Sequence, residues 1–123
     1  MKKDIDTKLD TEILVNAFYK KLESDAILGF YFNKVTNKAA FLKKIQLFWE
    51  NVIFYTGSYD GNPMQIHKDI HGKFPLTPEM FTAWNTVFNQ TVDELFKGKN
   101  AELIKQRAGN ISNVMKYKIL GDV

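Results

Sequence analysis

The chain has 123 residues, 45% of them apolar and 25% charged, with a net charge of +3 and a pI near 9.0. That is the composition of one globular domain long enough to bury a core, and its lysines are scattered as short pairs (Lys20-Lys21, Lys43-Lys44) among nearly as many acids, which excludes a stripe suited to a phosphate backbone. With no cysteine, disulfides, iron–sulfur ligation, a thiolate nucleophile and covalent attachment of a prosthetic group through C-x-x-C-H are excluded as well.

The N-terminal stretch "MKKDIDTKLDTEILV" has the basic start of a signal peptide but no apolar run behind it. Nowhere do eighteen apolar residues follow one another, so a cytoplasmic protein with no membrane association and no nucleic-acid partner is expected. Two glycosylation-like triplets, at Asn89 and Asn110, fall inside helical patterns and read as chance.

Asp10 is suited to cap a first helix whose stripe is Ile13, Leu14, Ala17, Phe18 and Leu22, ending near Asp25. From about Asn37 to Tyr55 no Gly or Pro interrupts, and Phe41, Ile45, Phe48, Trp49, Val52 and Ile53 recur at the steps of one buried helical face. Gly57 stops that helix. Thr77 followed by Pro78 supplies an N-cap and a proline-tolerant first turn for a third helix, with Phe81, Trp84, Phe88, Val92, Leu95 and Phe96 inward, ended by Gly98. A last helix runs from about Asn100 to Ile119, with Ile104, Ala108, Ile111 and Met115 facing in. No stretch alternates like a strand and no repeat occurs, so residues 1–123 read as a single all-α domain.

The segment between the second and third long helices, "GSYDGNPMQIHKDIH", holds the chain's only histidines, His67 and His71. Flanked by breaker clusters, it has room for about two helical turns from Met64 to His71. Imidazole is the commonest metal ligand and the side chain that titrates near neutrality. One reading is therefore an axial ligand on a short helix, facing a slot lined by Phe, Trp, Tyr and Ile, which suits a flat apolar macrocycle such as haem. The other is an ordinary surface helix whose aromatics are only core. The aromatic content of 14% serves either.

Three stretches carry a family resemblance: "LVNAFYKKLESDAILGFYF" at 14–32, "FWENVIFYTGSYDGNPMQIH" at 48–67, and "FTAWNTVF" at 81–88 continued by "TVDELF" at 91–96. In this order and spacing the chain resembles the group III truncated haemoglobins, bacterial globins built as a 2-over-2 helical sandwich around a haem. The likeness runs from Leu14 to Ile119, and the lack of any Gly-Gly pair suits this group.

The resemblance implies that His67 is the proximal iron ligand of a non-covalent haem b. It also implies that Tyr19 and Trp84 are distal hydrogen-bond donors, that Phe32 stacks on the ring, and that Ile45, Phe48, Trp49 and Met64 touch the haem. His71 has no family role. Relatives commonly read W-x-x-H early in the second helix, whereas this chain has Lys38 and Phe41 there. Phe41 has no donor, so a bis-histidine iron through that position is excluded. Tyr59, Lys68 and Arg107 are propionate-binding candidates by charge or position alone.

A five-coordinate haem in this setting would bind dioxygen, carbon monoxide or nitric oxide, with nitric oxide detoxification as the implied turnover and a separate reductase as electron source, since no flavin or nicotinamide motif is present. A peroxidase-like or one-electron redox enzyme is the alternative, and a haem-free helical interaction module is a further one.

Overall fold

The computed structural model of the chain describes residues 2–34, 36–54 and 76–120. The first helix, α1, spans Lys8–Ser24. Thr7 caps it: its hydroxyl accepts from the Asp10 amide at 3.2 Å, and the Asp10 carboxylate accepts from the Thr7 amide at 3.1 Å. Asp10 is therefore not the cap expected from the sequence but the third helical residue of a reciprocal capping box. Its carboxylate also takes the Asp6 amide and the Lys3 ammonium, contacts outside the reach of a local pattern. The buried stripe runs through Thr11, Leu14, Val15, Phe18 and Leu22. Ile13 lies outside it and is 42% exposed, because it is turned about 100° from Leu14 around the helix axis.

A four-residue helix, α2 at Gly29–Phe32, was not foreseen. The Asp25 carboxylate accepts the Ile27 and Leu28 amides, each at 2.9 Å, which turns the chain sharply out of α1. Gly29 is required there, since a Cβ would lie 2.7 Å from the Glu23 carbonyl oxygen. The helix α3 spans Lys38–Phe54, and the Asn37 side chain accepts the Ala40 amide at its start. Its buried stripe is Gln46, Trp49, Glu50 and Ile53. The Gln46 amide donates to the Glu50 carboxylate at 2.8 Å, so polar residues share this face with Trp49.

Thr77 caps α4, Pro78–Leu95, with proline in its first turn as the sequence predicts. Phe96 closes it by donating its amide to the Val92 carbonyl at 2.8 Å. The longest helix, α5, spans Lys99–Leu120. Its cap is distant in sequence: the Asp4 carboxylate accepts the Asn100 and Ala101 amides at 2.9 and 2.8 Å, and the Asn100 side chain donates to the Ile5 carbonyl. Gly98 enters this clasp with φ +150, and a Cβ on it would meet the Asp4 side chain at 2.5 Å.

The described helices form two layers. α1 packs on α3, α4 packs on α5, and the layers meet where α1 crosses α4 and α3 crosses α5. This all-α sandwich holds no strand among the described residues, nor any helix there long and apolar enough to cross a membrane. Phe88 is the hub of the core. It is fully buried, meets Phe18 edge-on at 5.0 Å and stacks between Trp49 at 5.0 Å and Trp84 at 5.4 Å. The short helix expected over 64–71 lies outside the described residues.

Candidate functional site

Between the layers is a cavity of about 180 Å³, about 1140 Å³ when its open approach is included. Tyr19 and Leu22 of α1 form one side, with Leu28, Tyr31 and Phe32 from the turn and α2. Phe41, Ile45, Phe48 and Trp49 of α3 form the next, and Leu76, Met80, Phe81 and Trp84 the third. Ile111, Ser112 and Met115 of α5 close it.

The i, i+4, i+7, i+8 spacing of Phe41, Ile45, Phe48 and Trp49 explains why α3 can serve two surfaces at once. One edge of its apolar stripe faces the cavity, so Phe41, Ile45 and Phe48 are half-buried, while Trp49 closes onto Phe88. Wall and core are thus continuous.

Polar chemistry in the wall is sparse. Trp84 donates its indole N–H to the Tyr19 hydroxyl. Burial pushes the Tyr19 phenol well above its ordinary range, with the Trp84 bond pulling weakly the other way. The phenol therefore stays protonated, and with its oxygen accepting from Trp84 its own O–H remains a donor. On the opposite wall the Ser112 hydroxyl donates to the Phe81 carbonyl at 3.4 Å.

Around Tyr19 the rings close in. Phe41 meets it edge-on at 5.4 Å, Phe32 lies at 5.3 Å, and Phe32 and Phe41 are 6.0 Å apart. Phe41 thus faces the cavity, directly against Tyr19. The Lys38 ammonium sits 5.5 Å from the Phe32 ring centre.

The structure brings Tyr19, Phe32, Phe41, Ile45, Phe48, Trp49 and Trp84 together around one cavity. His67, Met64, His71, Tyr59 and Lys68 lie outside the described residues. Arg107 is exposed and is not part of the wall. Sequence reasoning missed Leu28, Tyr31, Leu76, Met80 and Ser112 as wall residues; it had placed Leu22, Phe81, Ile111 and Met115 inward without distinguishing cavity from core. Ser112 had one available signal, a hydroxyl beside the inward position of Ile111. Among the described residues no group of three or more His, Cys, Asp or Glu side chains converges on a metal position. The wall fits a broad flat apolar group: aromatic and aliphatic surfaces on all sides, and a neutral donor pair at one end.

No family model matches the sequence. A group 3 truncated haemoglobin of Campylobacter jejuni is 28% identical over 105 residues, which cover 81% of this chain and 80% of that protein. The crystal structure of a group III truncated haemoglobin from Campylobacter jejuni matches with a TM-score of 0.87 and 26% identity, over 97% of this chain and 95% of the other. The chain thus has the fold of a truncated globin, and the group III truncated haemoglobins are the proteins it resembles in both sequence and structure.

Proposed function

We propose that the cavity holds a haem b, bound non-covalently through His67, and that the protein binds diatomic gases there. The observation that carries this reading is the Tyr19–Trp84 donor pair set at one end of an apolar cavity in a truncated-globin fold. A haem held there supplies an iron that takes up dioxygen, carbon monoxide or nitric oxide and exchanges electrons. The chain's own part is to position and to exclude. Phe32, Ile45, Phe48 and Trp49 would flank the haem and keep water from it, and Met64 is proposed to touch it as well. Trp84 holds the Tyr19 oxygen, so the Tyr19 O–H would be available to donate to a gas held in the cavity. In a dry pocket that donor is worth more than in water. Phe41 adds no donor and narrows the space beside it.

Turnover, as nitric oxide detoxification, draws electrons from a separate reductase and takes place in the cytoplasm. The test is to add haemin to the purified chain and to a His67→Ala variant, and to record ferric, dithionite-reduced and carbon monoxide spectra of both. A Soret band in the parent that is lost or shifted in the variant is expected. Identical spectra from both, or no uptake by the parent, would overturn the proposal.

A further inference from the structure

We propose that the triangle of Tyr19, Phe32 and Phe41 makes this cavity selective for neutral diatomic ligands against small anions, with Phe41 as the specificity-determining residue. The inference rests on the haem reading above and adds to it which chemistry the ligand end admits.

A small anion entering an apolar compartment gives up its water shell, and what replaces that shell is the set of donors and cations already fixed in the wall. At the Tyr19 end the supply is short. The donors that the described wall offers there are the neutral Tyr19 hydroxyl and the Trp84 indole N–H, which interact with each other. No Lys, Arg or His occurs among the described wall residues. The Lys38 ammonium is nearby but lies against Phe32 at 5.5 Å; Phe32 is in the wall and Lys38 is not. The described groups nearest Tyr19 are rings. Phe41 stands edge-on to Tyr19 at 5.4 Å, with Phe32 closing the third side, and the hydrocarbon surface of Phe32 and Phe41 offers nothing to replace the hydrogen bonds a hydrated anion gives up. A neutral diatomic gives up little hydration and needs only the one donor. Of the three rings, Tyr19 brings that donor and Phe32 comes from α2, so Phe41, the α3 ring in contact with both, is where a second donor would fit.

The test uses the haemin-loaded full chain and three variants, Phe41→His, Phe41→Gln and Phe41→Leu. Sodium azide is titrated into the ferric forms and carbon monoxide into the ferrous forms, both followed at the Soret band. Expected is azide affinity at least about tenfold tighter in the His and Gln variants, equivalent to about 1.4 kcal/mol. Carbon monoxide affinity should change by less than about threefold in both, and Phe41→Leu should leave azide within about threefold of the parent. The proposal fails if Phe41→Leu tightens azide as much as the two donors do, because bulk and not polarity would then be the filter. It fails equally if His and Gln leave azide unchanged, or tighten carbon monoxide to the same degree. Failure of the haem reading shows earlier and separately, as a parent chain that takes up no haemin before any azide is added, and it removes this inference too.

Discussion

The Tyr19–Trp84 hydrogen bond can be weighed without any ligand, by a double-mutant cycle with Tyr19→Phe and Trp84→Phe. Tyr19→Phe leaves the indole N–H inside the wall without its partner, which costs about 2 kcal/mol for an unsatisfied buried donor. Trp84→Phe loses the same bond together with part of the ring surface packed on Phe18 at 5.5 Å and Phe88 at 5.4 Å, again about 2 kcal/mol. The double variant has no donor left unpaired, so it should be less destabilised than the sum of the single changes by about 1 kcal/mol. Urea denaturation of the four chains reads this directly: at a slope of about 2 kcal/mol/M, the coupling corresponds to a midpoint difference of roughly 0.5 M. Additivity within about 0.3 kcal/mol would refute the bond, and with it the argument that Trp84 sets the direction of the Tyr19 hydroxyl.

In the haem-loaded protein, reduced to the ferrous form with the excess reductant removed, Tyr19→Phe is expected to speed dioxygen release by roughly tenfold or more, the worth of one hydrogen bond to a partly charged acceptor; stopped-flow displacement by carbon monoxide measures it. Asp4→Ala removes the cap of α5 and should cost about 1–2 kcal/mol in the urea midpoint, with Asp4→Asn recovering part of the loss. At Asp10 burial works to raise the carboxyl, but Lys3 and the Asp6 and Thr7 amides outweigh it and hold the pKa at about 2. At Asp4, too, burial is outweighed, by the amides of Asn100, Ala101 and Ile5. Both lie below the ordinary value of 3.8, so the unfolded chain binds more protons on acidification: their contribution is full above about pH 4 and is lost as pH falls toward 2. Denaturation at a series of acidic pH values should show that loss, and Asp10→Asn should flatten it. Gly98→Ala meets the Asp4 side chain and a strained φ together and should lower stability by about 1–3 kcal/mol, read as a drop in Tm.

How much of this was legible in the sequence depends on the range over which each feature is decided. Thr77 and Pro78 start α4 through contacts within one turn, and both positions are readable from residue type alone. The start of α1 is different, because Thr7 and Asp10 are each competent caps and the choice is made by Lys3 and the Asp6 amide reaching Asp10 from outside the helix. Likewise nothing local marks Asp4 as the cap of a helix that begins more than ninety residues later. The α2 turn is too short to have a period. Periodicity placed Phe41, Ile45 and Phe48 inward but could not say that inward meant a cavity, and it offered no reason to bury Gln46 and Glu50, whose mutual hydrogen bond lets them share the Trp49 face. Tyr19 and Trp84 were singled out by family resemblance; their mutual bond emerged only once α1 and α4 were set against each other.

The same aromatic content serves two purposes that the structure keeps apart. Phe18 and Phe88 are buried and take no part in the cavity wall, so their stabilisation comes from the packing of α1, α3 and α4. Phe41, Phe48 and Trp84 are half-buried and face the cavity, so the apolar area they still expose is available to whatever flat group enters. By mass action such a group stabilises the fold by an amount that grows with the logarithm of its concentration relative to its Kd. Trp84 joins the two sets, stacked on Phe88 at 9° on one side and bonded to Tyr19 on the other. A donor braced through Trp84 against the fully buried Phe88 ring is held in one direction, and that is the condition under which a single hydroxyl can discriminate between ligands.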